Sequence, residues 1–96
     1  MSQITLLATL KAKPEYTSEV IAFFNTHLIQ PSRAEAGNIQ YDLHQGKEDR
    51  NILVVYETWA SQQAIDEHNA TAHFEKFKEY IGDKINSLEI TLLEKL

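Results

Sequence analysis

The chain contains no cysteine, which at once removes disulfides, thiolate nucleophiles, iron–sulfur clusters and cysteine-type zinc sites. Proline and glycine are scarce, two and three residues in a chain of 96, and no linker, repeat or low-complexity stretch interrupts it. No glycine-rich phosphate loop, dinucleotide fingerprint or nucleophile elbow is present, so a nicotinamide or flavin enzyme would have to bind its cofactor without them. No apolar run approaches a membrane span. Residues 1–10 carry neither a basic leader nor a small-residue cleavage site, and the expected location is the cytoplasm, with no membrane partner. Basic residues are few, nine against fourteen acidic ones, for a net charge of -5. They are scattered, whereas a nucleic-acid backbone needs a clustered basic face, so no nucleic-acid partner is expected.

What is there is an ordinary globular composition, 43% hydrophobic and 24% charged. Residues 1–96 read as a single domain. A chain of this size buries roughly 60–70% of its unfolded surface on folding, which makes a lone core thin and association useful.

Periodicity divides the chain into strand, helix, strand, strand, helix, strand. Residues 3–11 alternate and carry β-branched side chains, closed by Lys13-Pro14. From Glu15 to about Glu35, Tyr16, Val20, Phe23, Phe24, His27 and Leu28 recur at helical spacing, which predicts one buried stripe that Pro31 should kink or end. Gly37 suits the position just past a helix, where positive φ is common, and Asn38 opens a strand with Ile39, Tyr41 and Leu43 on one face. A polar hairpin, residues 45–51, leads to Ile52–Trp59, which is apolar on both parities. Ser61 caps a helix to His68, Thr71 starts another that Gly82 stops, and the last strand is expected over residues 87–94.

This order predicts an α+β, ferredoxin-like βαββαβ fold, a four-stranded antiparallel sheet with its helices on one face. Leu53 and Val55 then point one way, and Ile52, Val54 and Tyr56 the other. Helices cover only one side. An apolar second face is an association site, and a symmetric pair of chains would cover it, so a homodimer is expected.

The order Glu57-x-Trp59, Ala64, His68, Thr71, His73-Phe74 resembles the signature of the antibiotic biosynthesis monooxygenase family, small proteins that include cofactor-free quinol and anthrone oxygenases. A second block, Pro31-Ser32-Arg33-Ala34-Glu35 followed by Gly37-Asn38 and Tyr41-Asp42-Leu43-His44, is similar to that family's helix-to-strand block. The resemblance covers the whole chain and implies a dimeric α+β barrel, no cofactor, and a small aromatic or quinone-like substrate held against Trp59. Ala36 and Ala72 stand where relatives often carry proline, which bears on how rigidly His73 is presented.

The stretch from Glu57 to Phe74 holds the only tryptophan and two of the four histidines. His68 and His73 are the candidate catalytic bases, because a neutral imidazole can take a proton from a phenol. Glu57, Trp59, Tyr41 and Phe74 are the candidate substrate-binding residues. Each also has a plain structural reading. Trp59 can simply fill the core, Glu57 needs a buried partner such as a histidine, and the two histidines can serve as helix-end residues. Spacing of five rather than four makes His68 and His73 a poor one-face metal pair, and a third ligand would have to come from elsewhere, so no metal site is assigned. His27 reads as a core residue, His44 as facing a dimer partner, and Arg33 with Glu35 as a solvated pair.

These residues support a monooxygenase oxidising a quinol, anthrone or similar electron-rich phenol with dioxygen. Two alternatives stand beside it: isomerisation of a phosphorylated autoinducer-2-type sugar, and a non-catalytic small-molecule-binding dimer. Haem degradation ranks lower, because the axial histidine implied by such relatives falls where Lys78 stands.

Overall fold

In the computed structural model, which describes residues 3–96, four strands form one antiparallel sheet. They are β1 (Ile4–Ala12), β2 (Asn38–Gln45), β3 (Ile52–Trp59) and β4 (Ile85–Leu93), in the spatial order β2-β3-β1-β4. The leader-free reading of residues 1–10 extends to Met1 and Ser2, which lie outside the described residues. Between β1 and β2 run α1 (Thr17–Phe23) and α2 (Ile29–Arg33), and between β3 and β4 run α3 (Gln62–Asn69) and α4 (Ala72–Ile81). This is the ferredoxin-like arrangement expected from the periodicity. Among the described residues, no helix is long and apolar enough to cross a membrane.

Cross-strand register decides which side chains meet the helices. Leu6 stands opposite Glu57 and Leu92, Ala8 opposite Val55 and Ile90, and Leu10 opposite Leu53 and Leu88. The period of two puts all nine on the helix side. There Leu6, Ala8, Leu10, Leu53 and Val55 join Val20, Phe24, Leu28, Ile65, Phe77 and Ile81 in the buried core. The two edges differ. The β4 residues Leu88, Ile90 and Leu92 remain 45–53% exposed because no helix reaches them. The opposite face carries Leu7, Ile52, Val54, Tyr56 and Leu93, none of them buried.

Four sequence expectations change. Pro31 does not end the helix, since α2 continues to Arg33. A π-helical segment, Phe24–Leu28, precedes it, and Leu28 at φ -121 departs from helical geometry. The widened turn relieves the conflict between the Pro31 ring and the carbonyl four residues back, at His27. The same change of period turns His27 outward; it is exposed, its ring 4.9 Å from that of Phe23, and is not a core residue. A bulge between Asn38 and Gln40 takes Ile39 off the inner face and leaves it 53% exposed, while Tyr41 and Leu43 keep that face.

Gly37 is the fourth. It does not have positive φ. A Cβ there would lie 2.4 Å from Cβ of Ala64, so glycine is needed because the loop before β2 rests directly on α3. That close approach positions the site.

Candidate active site

The helix-to-helix break forms as the sequence suggests. Ser61 Oγ accepts from the Ala64 N–H at 3.2 Å to cap α3, and Thr71 Oγ1 accepts from the Phe74 N–H at 3.2 Å to cap α4. Each cap contributes about 1 kcal/mol. His68 lies one turn after Ala64 on the same face of α3, and Ala64 is where the Gly37 loop touches. Glu35, two residues before Gly37, is thereby brought against His68.

Glu35 Oε2 lies 2.7 Å from His68 Nδ1 and 2.7 Å from His73 Nε2. One carboxylate oxygen thus joins both histidines. Access to solvent rises along the chain of contacts, from 4% of the His68 side chain to 15% for Glu35 and 20% for His73. Burial holds the His68 pKa below its ordinary value, against the opposing pull of the Glu35 carboxylate. The imidazole is neutral at neutral pH. Its carboxylate partner fixes the proton on Nδ1, which leaves the Nε2 lone pair free.

That ring lines a cavity of about 430 Å³ between the sheet and the helices. The walls are chiefly apolar, with Leu6, Ala8 and Val55 from the sheet, Phe24, Ile65, Phe74 and Phe77 from the helices, and Leu88, Ile90 and Leu92 along the open side. Polar groups are few: Tyr41, Glu57, Gln62, His68, Asn69 and Lys78. A chiefly apolar hollow with a few convergent polar groups is the usual form of a small-molecule site.

Glu57 is 5% exposed, and its Oε1 accepts the Trp59 indole N–H at 2.8 Å. The partner of this buried carboxyl is therefore the tryptophan two residues on, on the same strand face, rather than a histidine. Burial pushes the Glu57 pKa up to about 7; the Trp59 hydrogen bond opposes the rise and the Glu35 charge adds to it. Burial also drives the Tyr41 phenol far above its ordinary value, with the Glu57 charge acting in the same direction, so this hydroxyl stays protonated.

Of the sequence candidates, Tyr41, Glu57, His68 and Phe74 line the cavity. Trp59 lies behind the wall, fully buried, its ring 4.6 Å from that of His68. His73 does not line the cavity; its Nε2 lies 2.7 Å from Glu35 Oε2, and its ring is 5.9 Å from that of His68. Glu35 is the residue the sequence reading missed. Arg33 pairs instead with Asp42 at 2.9 Å and donates to the Tyr41 carbonyl at 3.0 Å, leaving Glu35 to the histidines. The only sequence signal for this was Gly37, whose lack of a side chain marks a loop pressed against something. Among the described residues, Glu35, His68 and His73 are also the group whose donor atoms, all within 4.8 Å of one another, a divalent cation could take.

A ferredoxin-like chain with an imidazole lining a chiefly apolar cavity is a small α+β protein with a small-molecule site. Residues 3–80 match the antibiotic biosynthesis monooxygenase family, and the chain belongs to it. A Bacillus subtilis protein named "Putative monooxygenase YcnE" is 43% identical over 74 residues, covering 77% of each chain. The crystal structure of PA3566 from Pseudomonas aeruginosa superposes with a TM-score of 0.94 at 33% identity, covering 100% of this chain and 96% of that one. The structure of Rv0793 from Mycobacterium tuberculosis superposes with a TM-score of 0.91 at 28% identity, covering 99% and 96%.

Proposed function

We propose that the protein is a cofactor-independent monooxygenase that oxidises a quinol, anthrone or similar electron-rich phenolic substrate with dioxygen. The observation that carries this reading is the neutral His68 imidazole, held by Glu35 and turned toward an apolar cavity large enough for a fused-ring aromatic. His68 Nε2 takes the acidic proton of the substrate. The resulting anion is electron-rich enough to pass one electron to dioxygen, and the apolar walls keep water from the radical pair. Tyr41 and Phe74 bound the aromatic ring, and Trp59 holds His68 in place from behind.

Relatives named "Putative monooxygenase YcnE" and "Putative monooxygenase Rv0793" support the reaction class. The cavity argues against a phosphorylated sugar, because among the described residues Lys78 is its one lining cation, lies 3.2 Å from Glu75, and shares the space with the Glu57 carboxyl. The working unit is a homodimer in which a second copy covers the unburied apolar face of the sheet.

Oxygen uptake with a panel of reduced quinones tests the reading. Saturable uptake above autoxidation, lost in His68→Ala, is the expected result. Uptake no faster than autoxidation for every member of the panel overturns it.

A further inference from the structure

Of the ionisable side chains lining the cavity, Glu57 from β3 and His68 from α3 share one neighbour. Trp59 donates its indole N–H to Glu57 Oε1 at 2.8 Å and packs its ring 4.6 Å from the His68 ring. It is fully buried and in contact with both. The second Glu57 oxygen has no hydrogen-bond partner among the described residues, yet the side chain lines the cavity. A group of this kind is available to a ligand.

The surroundings reverse the usual ownership of the proton. Burial holds the carboxyl in its protonated form up to a pKa of about 7, while burial keeps the imidazole unprotonated. Two titratable groups with pKa values moved in opposite directions in one cavity constitute an acid and a base.

We propose that Glu57 is the proton donor of the oxygenation, acting on the peroxide formed after His68 has removed the first proton. This rests on the monooxygenase reading above. The first proton passes from the substrate to His68 Nε2. The substrate anion gives one electron to dioxygen, and the substrate radical and superoxide join through a new carbon–oxygen bond, forming a peroxide anion. Glu57 gives its proton to the outer oxygen. The same carbon then loses its remaining hydrogen as a proton to the Glu57 carboxylate, the oxygen–oxygen bond breaks, and the departing hydroxide takes the proton from His68. The products are a carbonyl and water, and both side chains return to their starting states.

The test is Glu57→Gln with a reduced naphthoquinone as substrate, measuring oxygen consumed, hydrogen peroxide released and oxygenated product formed. Glutamine keeps an acceptor for the Trp59 N–H but has no proton to transfer. Emission from Trp59, the only tryptophan, reports whether the local structure is intact. The expected result is continued uptake with oxygenated product per oxygen reduced at least tenfold, the balance leaving as hydrogen peroxide. Wild-type coupling in the variant overturns the role of Glu57 and leaves the monooxygenase reading standing. Absence of uptake by the wild type overturns both.

A second readout uses the wild type alone, so it does not depend on the variant folding. Product per oxygen should fall, and peroxide rise, as pH increases through about 7 and Glu57 loses its proton. Tyr41 from β2, His68 from α3, Lys78 from α4 and Glu35 behind His68 are the ionisable groups facing this space, and Tyr41 remains neutral throughout that range. Coupling that is flat between about pH 6 and 8.5 overturns the proposal.

Discussion

Oε2 of Glu35 lies 2.7 Å from Nδ1 of His68, across 33 residues of sequence. The contact exists because Gly37 lets the loop after α2 rest on Ala64, one turn before His68. A carboxylate on Nδ1 selects the tautomer whose Nε2 is a base, so a packing detail of the loop determines the chemistry offered to the cavity.

Removing the base and removing its partner should therefore differ in size. General-base catalysis contributes about 10²–10⁴-fold, and His68→Ala is expected to lose kcat in that range. Glu35→Gln leaves the imidazole but abolishes the charge that orients it, and a loss of about 10–100-fold is expected. His73→Ala keeps the Glu35–His68 contact and should cost less than about tenfold. Steady-state oxygen uptake ranks the three. A His73→Ala loss equal to that of His68→Ala would place His73 in the chemistry directly.

Gly37→Ala should affect stability and rate together. Its Cβ would stand 2.4 Å from Cβ of Ala64, a contact that the backbone on one side must relieve. Overpacking of this kind costs about 1–3 kcal/mol, readable as a lower midpoint in urea unfolding. Moving the loop off α3 also draws Glu35 away from His68, so activity falls as well. Ala64→Gly in the same chain removes the opposing methyl and should recover most of both losses. Failure of that second substitution to recover either would show that the strain lies elsewhere.

The strand and helix order was readable because each element follows one period. β3 carries apolar residues on both parities, and Ser61 and Thr71 cap the helices that their side chains suggest. His27 and Pro31 were not readable, because a π-helical turn changes the period in mid-helix and no residue type announces it. Ile39 was lost to a bulge for the same kind of reason. In the site, Glu57, Trp59, His68 and Phe74 lie within one stretch and were legible as a group. Glu35 was not, because its partners are 33 and 38 residues away and Arg33 is the nearer charge in sequence. Glu57 and Trp59 each stand out in the sequence, but nothing in it shows that the indole N–H of one is the partner of the other's carboxyl.

Stability should carry the signature of both buried groups. Glu57 has a folded pKa of about 7, above its unfolded value of 4.5, so the folded state binds more protons between the two. Stability then falls as pH rises through that window, and the cost above it is on the order of 3 kcal/mol. His68 acts in the opposite direction. Its folded pKa lies below 6.5, so stability falls as pH drops below the unfolded value. Glu57→Gln removes the first effect, and the variant should be more stable than the wild type at pH 8 and less sensitive to pH between about 5 and 7. Chemical unfolding across that range measures it. A wild type whose stability rises monotonically with pH would show that Glu57 ionises freely.

The unburied sheet residues set the last expectation. Val54 and Tyr56 lie at the centre of the face opposite the helices, with Leu7 and Leu93 beside them, whereas Leu88, Ile90 and Leu92 lie on the helix side along the β4 edge. Both groups are apolar and a single partner has to choose between them. If two copies meet sheet to sheet, Val54→Lys places a charge in the middle of the interface. Sedimentation should then show a dimer for the wild type at micromolar concentration, a monomer for Val54→Lys, and a dimer for Ile90→Asp. The converse pattern would mean that the partner closes the open side of the cavity along β4, and the site would then be shared between the two chains. A wild-type monomer at micromolar concentration removes the dimer altogether and leaves both apolar surfaces to other partners.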